Sequence, residues 1–341
     1  QADSKIHRAN YDGSDVSIFR NLSVYGWSCT SACSYALSID PVNRHLYWYY
    51  KVNTVLSDAS QLWRTSLDAT GGASNLRLES YTTLDASTNA AAIDPVNQIL
   101  YHYSKRHNMN LVGTYLQPPY ATESVLGHHF VPSYPVLDPR ESGTLYWIDS
   151  AGRRIFRSNV PDPEPDLFVG LAGYDDYPVL LYLDLPGDQL YWGDNHYCFD
   201  HDYSGTITTR SLDGPFSVGD AYGVSHMSGN TRCMNTIAGD MTRDWGYWKD
   251  QSSSSVWRDT IRVIQPSESV GAGSVTQIMV DGVSGNFYLL SDDSTLSRSD
   301  SDGIPLNEIS LGSGVYPSAI LDYQEGKIYW LQTMPGGLWI I

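Results

Sequence analysis

Apolar and polar residues along this chain alternate in short runs and show no helical spacing. Stretches such as RIFRSN, TITTRS and TLSRS switch character residue by residue, the pattern of a strand with one buried face. A second pattern is laid over the first. An apolar or glycine residue, then Asp, then a turn, then an apolar-Tyr or Gly-Tyr pair recurs seven times. The copies lie at Asp40 (IDPVNRHLYW), Asp94 (IDPVNQILYH), Asp138 (LDPRESGTLYW), Asp184 (LDLPGDQLYW), Asp240 (GDMTRDWGYW), Asp281 (VDGVSGNFYL) and Asp322 (LDYQEGKIYW), with the Asp240 copy the most divergent. Repetition on this scale marks an array of similar supersecondary units.

Most copies are followed by an alternating segment closed by an Asp-Gly type turn: QLWRTSLDATG, RIFRSNVPD, TITTRSLDG and TLSRSDSDG. Alternation plus that turn chemistry is a hairpin signal, so each unit holds about four short strands, the content of one β-propeller blade. The predicted fold is all-β, a single propeller domain over residues 1–341 with seven four-stranded blades, six being the alternative count. The two ends of the chain complete one another. KIHRANYDGSDVSIF matches the second half of a unit and AILDYQEGKIYWLQ the first half, so the terminal strands should share one blade and leave no open sheet edge. The C-terminal GGLWII competes with Lys5 to Ala9 for the third-strand position there.

Composition supports strands and tight turns: 25 Tyr and 10 Trp stand against 7 Phe, with 29 Gly and 17 Pro. A formal net charge of -17 disfavours nucleic acid and anionic membrane surfaces, which need concentrated basic patches. No apolar run reaches the length that spans a bilayer, and QADSKIH lacks the segments of a secretory signal, as expected of a mature chain. Cys29, Cys33, Cys198 and Cys233 match no zinc template, and disulfides in an oxidising compartment are the better reading. We expect Cys29–Cys33, which is local, and Cys198–Cys233, whose insertions the blade order places side by side. The sequon at Asn21 is a glycosylation candidate consistent with a secreted, extracellular protein.

Tyr146-Trp147-Ile148-Asp149, Tyr191-Trp192-Gly193-Asp194 and Tyr247-Trp248-Lys249-Asp250, with third strands such as KIHRANYDG, resemble the YWTD β-propeller repeats of the low-density lipoprotein receptor family over nearly the whole chain. Four copies lack the Asp, and that family's ring usually has six blades. The resemblance implies an extracellular recognition module that binds a protein partner and is not an enzyme.

The recurring residues are read as architecture. Tyr and Trp fill the wedge between blades, the Asp residues of the YWxD copies accept backbone N–H bonds, and Arg8, Arg64, Arg157, Arg258 and Arg298 pair with neighbouring carboxylates. Function is expected where units differ, on the connections between strands two and three and from strand four to the next blade. Those carry every long insertion, among them YKVNTVLSDAS, while the remaining turns are tight. The candidate ligand-binding residues there are Trp27, His128, His129, Asp175, Asp176, His196, Tyr197, Asp200, His201, Asp202 and Tyr203. Asp200 and Asp202 are candidate Ca2+ ligands, although no EF-hand loop surrounds them; the expectation is otherwise no cofactor. No catalytic signature is present, which favours a recognition protein for a protein or glycan over two alternatives: a lectin, and a Ca2+-dependent propeller hydrolase or lactonase.

Overall fold

The computed structural model describes residues 5–22, 34–54, 57–68, 91–104, 110–117, 122–124, 132–138, 140, 143–149, 154–160, 166–170, 178–185, 187–195, 205–212, 222–223, 234–240, 243, 245–250, 255–260, 268–272, 275–291, 295–311 and 315–333. Among these residues the regular structure is strand throughout, and no helix is long and apolar enough to cross a membrane.

The chain opens with β1 (Lys5–Asn10) and β2 (Ser17–Asn21), then forms one sheet from β3 (Ser34–Asp40), β4 (His45–Thr54) and β5 (Ser57–Ser66). The next sheet joins β6 (Ala91–Asp94), β7 (Ile99–Ser104), β8 (Asn110–Tyr115) and β9 (Thr122–Ser124). It is followed by β10 (Pro132–Asp138), β11 (Thr144–Asp149), β12 (Arg154–Asn159) and β13 (Asp166–Gly170), and by β14 (Pro178–Asp184), β15 (Gln189–Asn195), β16 (Gly205–Ser211) and β17 (Tyr222–Gly223). Next come β18 (Met234–Asp240), β19 (Trp245–Asp250), β20 (Ser255–Thr260) and β21 (Glu268–Ala272), then β22 (Val275–Val280), β23 (Phe287–Ser291), β24 (Thr295–Ser299) and β25 (Pro305–Ser310). The last strands, β26 (Val315–Asp322) and β27 (Lys327–Thr333), return to the first in the order β2-β1-β27-β26. These are the seven blades of a β-propeller. We number the blade of the chain ends 1 and the β22–β25 blade 7.

The count of seven and the shared terminal blade agree with the sequence. β1 pairs with β27 from Lys5 opposite Gln332 to Asn10 opposite Lys327, so Lys5 to Ala9 occupy the third-strand position; GGLWII lies outside the described residues. The divergent copy at Asp240 is a full blade. One expectation needs correction: YKVNTVLSDAS is not an inserted loop. Most of it extends β4 and β5 into a long antiparallel ribbon, paired as far as Thr54 opposite Ser57. Nor are all opposite-end turns tight, since residues 212–221 separate β16 from β17.

The chain divides into two compact units. One contains Gln1–Ser124, Leu290–Ser297 and Asn307–Ile341, and the other Val125–Leu289 and Arg298–Leu306. Within the first unit, Tyr329 and Leu331 of blade 1 share a cluster with Trp48 and Leu46 of blade 2. Within the second, Tyr146 and Ile148 of blade 4 pack with Trp192 of blade 5, and Tyr191 of blade 5 with Trp248 of blade 6. A four-stranded sheet has two apolar faces, and at these three junctions a repeat offers its Tyr to the following blade and its Trp to the preceding one. Trp48, Trp147, Trp192, Trp248 and Trp330 are all at most 2% exposed, so the rings are wedge filler. Blade 3 has His102 and blade 7 has Leu289 where the other five have Trp. His102 is fully buried, and its Nε2 shares a 3.0 Å hydrogen bond with Thr114 Oγ1 of the same blade.

The divergence at blade 6 has a steric origin. Gly239 stands where other copies carry Ile, Leu or Val, and a Cβ there would lie 2.5 Å from the Tyr191 ring. Glycine lets blade 5's tyrosine lie flat on the backbone of blade 6. Gly239→Ala should therefore destabilise the protein by about 1–3 kcal/mol through overpacking, and Trp192→Ala by about 3–5 kcal/mol through the cavity it leaves. Urea unfolding monitored by circular dichroism measures both; a neutral Gly239→Ala would mean that Tyr191 has another place to go.

Candidate functional site

The sequence-predicted ligand residues Trp27, His128, His129, Asp175, Asp176, His196, Tyr197, Asp200, His201, Asp202 and Tyr203 all lie outside the described residues, as do Cys29, Cys33, Cys198 and Cys233. Asn21 is described: it ends β2 and is exposed. Among the described residues no group of three or more His, Cys, Asp or Glu side chains is placed to hold a metal ion.

The described polar residues fall into two sets. The first is the Asp that ends each first strand. Asp40, Asp94, Asp138, Asp184, Asp240, Asp281 and Asp322 are between 0 and 6% exposed. Each carboxylate accepts a backbone N–H from its own turn: Asn43, Asn97, Arg140, Gly187, Arg243, Val283 and Gln324 are donors, at 2.9–3.2 Å. This is an Asx turn repeated in every blade, and it explains why Asp and no other residue recurs.

Four residues after most of these aspartates the backbone turns left-handed. Glycine fills that position at Gly285 and Gly326, as L side chains are disfavoured there, but Arg44, Gln98 and Asp188 also adopt φ of 54° to 55°. Their side chains reach the neighbouring blade. Arg44 donates to Asp322 at 2.9 Å, Gln98 to Asp40 at 3.1 Å, and Asp188 accepts from Arg140 at 2.7 Å. Local strain at these turns is offset by a tie between blades.

The second set is the third-strand arginines. The register places Arg8 opposite Tyr329, Arg64 opposite Tyr47, Arg157 opposite Tyr146 and Arg258 opposite Tyr247. Carboxylate pairing was the expectation, and it holds for Arg258 with Glu268 at 2.7 Å. The commoner partners are carbonyls of the next blade and aromatic faces. Arg157 donates to Leu212 O at 3.4 Å and lies 5.5 Å over Phe168, while Arg258 donates to Ser301 O and lies 4.0 Å over Trp245.

At the junction of blades 1 and 2 this scheme changes. Arg8 sits 5.3 Å over Phe19, as Arg157 does over Phe168, but the second guanidinium on the ring comes from a different place. Between blades 4 and 5 it is Arg210 of β16, 4.8 Å over Phe168. Between blades 1 and 2 it is Arg20 of β2, 4.1 Å over Phe19, and Thr65 occupies the position that Arg210 holds in blade 5. Arg20 reaches across to Thr65 Oγ1 at 2.9 Å and Ser66 O at 3.3 Å. The exchange leaves an open cleft of about 500 Å³, whose lining includes Arg8, Phe19, Arg20, Arg44, Lys327 and Tyr329. Sequence reasoning missed it, although a signal was present. In WRTSLD the arginine stands one residue further from Ser-Leu-Asp than in TTRSLD.

No protein-family model matches this chain, and no curated protein matches it. Solved structures do. Virginiamycin B lyase from Staphylococcus aureus is 13% identical with a TM-score of 0.61, over 96% of this chain and 99% of that one. A gluconolactonase from Xanthomonas campestris is 14% identical with a TM-score of 0.50, over 90% and 99%. A chain of the nidogen/laminin complex is 15% identical with a TM-score of 0.48, over 76% and 89%. At these identities the likeness shows the propeller fold.

Two part-buried histidines, His7 and His45, give a pH test. His7 stacks on Trp330 with centroids 5.5 Å apart and bonds Gln332 Oε1 at 2.8 Å; burial holds its pKa below the ordinary histidine value, and the Gln332 bond opposes this. Burial likewise lowers His45, helped by the charge of Arg64. Each therefore takes up a proton less readily when folded than in the unfolded chain, which does so near pH 6.5. Their stability contribution is present above that pH and lost as the pH falls through the lowered folded values. The melting temperature should fall less steeply from pH 7 to pH 5 in a His7→Gln, His45→Gln variant than in the unaltered protein; parallel slopes would show that neither imidazole is held neutral.

Proposed function

We propose that this chain is an extracellular, non-enzymatic recognition protein that binds a protein or glycan through the divergent connections at one end of its blades. The observation that carries this reading is how the recurring polar residues are used. The seven turn aspartates bond their own backbone, and Arg157 and Arg258 of the third strands bond carbonyls of the next blade. What repeats is committed to the scaffold, so selectivity is left to what varies. The YWTD-like motifs point the same way, towards the receptor-type propellers they resemble, and the strongly acidic charge favours a neutral or cationic ligand over nucleic acid or an anionic bilayer.

The loop from His196 to Tyr203 concentrates two aspartates, two histidines and three aromatics, and we assign it the central contact. A disulfide from Cys198 to Cys233 would fix it in place and lower the entropy lost on binding. Asp200 and Asp202 are the Ca2+ candidates within it. The test pairs a glycan array and a panel of immobilised extracellular protein domains with a Ca2+ titration followed by Trp fluorescence. Replacing Asp200, His201 and Asp202 together by Ala should abolish binding to whichever probe the unaltered protein recognises. Stability should move by no more than about 0.5 kcal/mol. Ca2+-dependent turnover of a lactone, or a triple variant that binds normally, would overturn the reading.

A further inference from the structure

We propose that the cleft between blades 1 and 2 binds a small organic anion, a carboxylate or phosphate carried on a flat or apolar group. The site is lined by residues of the repeat-derived strands and their turns.

The charges decide the class of ligand. Arg44 is engaged by Asp322 and Asp68 at 2.9 and 3.3 Å, with Glu325 at 3.9 Å, so the acidic side chains at the cleft already face a guanidinium. Arg8 and Lys327 have no such partner: among the described residues neither forms an ion pair with a carboxylate. The Lys327 ammonium bonds the neutral Asn10 Oδ1, and Arg8 lies beside the Tyr329 hydroxyl and over Phe19. The register puts Arg8 opposite Tyr329 and Asn10 opposite Lys327, two residues apart on adjacent strands and on one sheet face. Such diagonal neighbours have Cβ atoms roughly 7–8 Å apart, a span that one carboxylate or phosphate can bridge. Guanidinium forks suit both anions.

The two junctions differ in what fills the space over the ring, because blade 5 carries Arg210 one position beyond the usual third-strand arginine, whereas blade 2 keeps Arg64 and Thr65. At the junction of blades 4 and 5, Arg157 donates to Leu212 O and Arg210 fills the space over Phe168. Here Thr65 replaces that second arginine, Leu67 takes the place of Leu212, and Arg8 keeps its guanidinium in the cleft. The rings of Phe19 and Tyr329 line the same space, 5.1 Å apart and edge to face, and supply the apolar wall for the body of the ligand.

Isothermal titration of the full chain with benzoate and, separately, inorganic phosphate tests this. Saturable binding of at least one anion is expected, weakening as ionic strength rises. Arg8→Gln should weaken it at least tenfold, whereas Arg157→Gln, the counterpart at the other junction, should leave it within twofold. Thr65→Arg, which restores the arginine found in blade 5, should block the cleft and abolish binding while the circular dichroism spectrum stays that of the unaltered protein. Absence of saturable binding by both anions, equal losses from Arg8→Gln and Arg157→Gln, or full binding by Thr65→Arg would each overturn the proposal.

Discussion

A four-stranded blade cannot bury two apolar faces by itself, and this constraint governs the rest of the molecule. Five of the seven repeats answer it with an adjacent Tyr and Trp whose side chains leave opposite faces of one strand. Tyr329 is placed against the blade of Trp48, Tyr146 against that of Trp192, and Tyr191 against that of Trp248. Because rings so buried tolerate little change in volume, any departure in one blade has to be matched next door. Gly239 yields to Tyr191, Thr114 bonds His102, and Arg20 reaches across to Thr65.

The buried turn aspartates perform a related task at one end of the blades. A carboxylate removed from water is tolerable only when its lone pairs are filled, and the backbone N–H groups of the turn do this in every copy. The remaining oxygen is then available to a neighbour. Arg44 and Gln98 exploit that at Asp322 and Asp40, accepting left-handed backbone that glycine would occupy without strain. Polar chemistry that looks like a ring of acids in the sequence is thus an intramolecular fastening, whereas the cations of Arg8 and Lys327 remain facing the cleft.

Much of this was legible because the turn motif is local. Asp, four turn residues and Leu-Tyr sit within ten positions, so blade count and terminal pairing follow from counting copies. The β4–β5 ribbon was not legible, since SDAS and KVNT carry no apolar alternation and are held by backbone pairing to one another. The exchange of Arg20 for a third-strand arginine was hidden for a different reason. It depends on two residues 45 positions apart that meet across a blade junction, and neither is unusual in its own strand. The divergent loops, where the candidate ligand residues lie, have no repeat to constrain them and therefore no sequence signal for their geometry.

A double-mutant cycle between Arg44 and Asp322 probes the fastening between blades most directly, using Arg44→Gln, Asp322→Asn and the pair, each unfolded in urea. These side chains belong to different blades, lie 2.9 Å apart, and are separated by almost the whole chain in sequence. If the turn residues bind blade to blade, the two substitutions should be coupled by about 0.5–3 kcal/mol, as for other residues in contact; additivity to within about 0.3 kcal/mol would mean that each turn is stabilised alone.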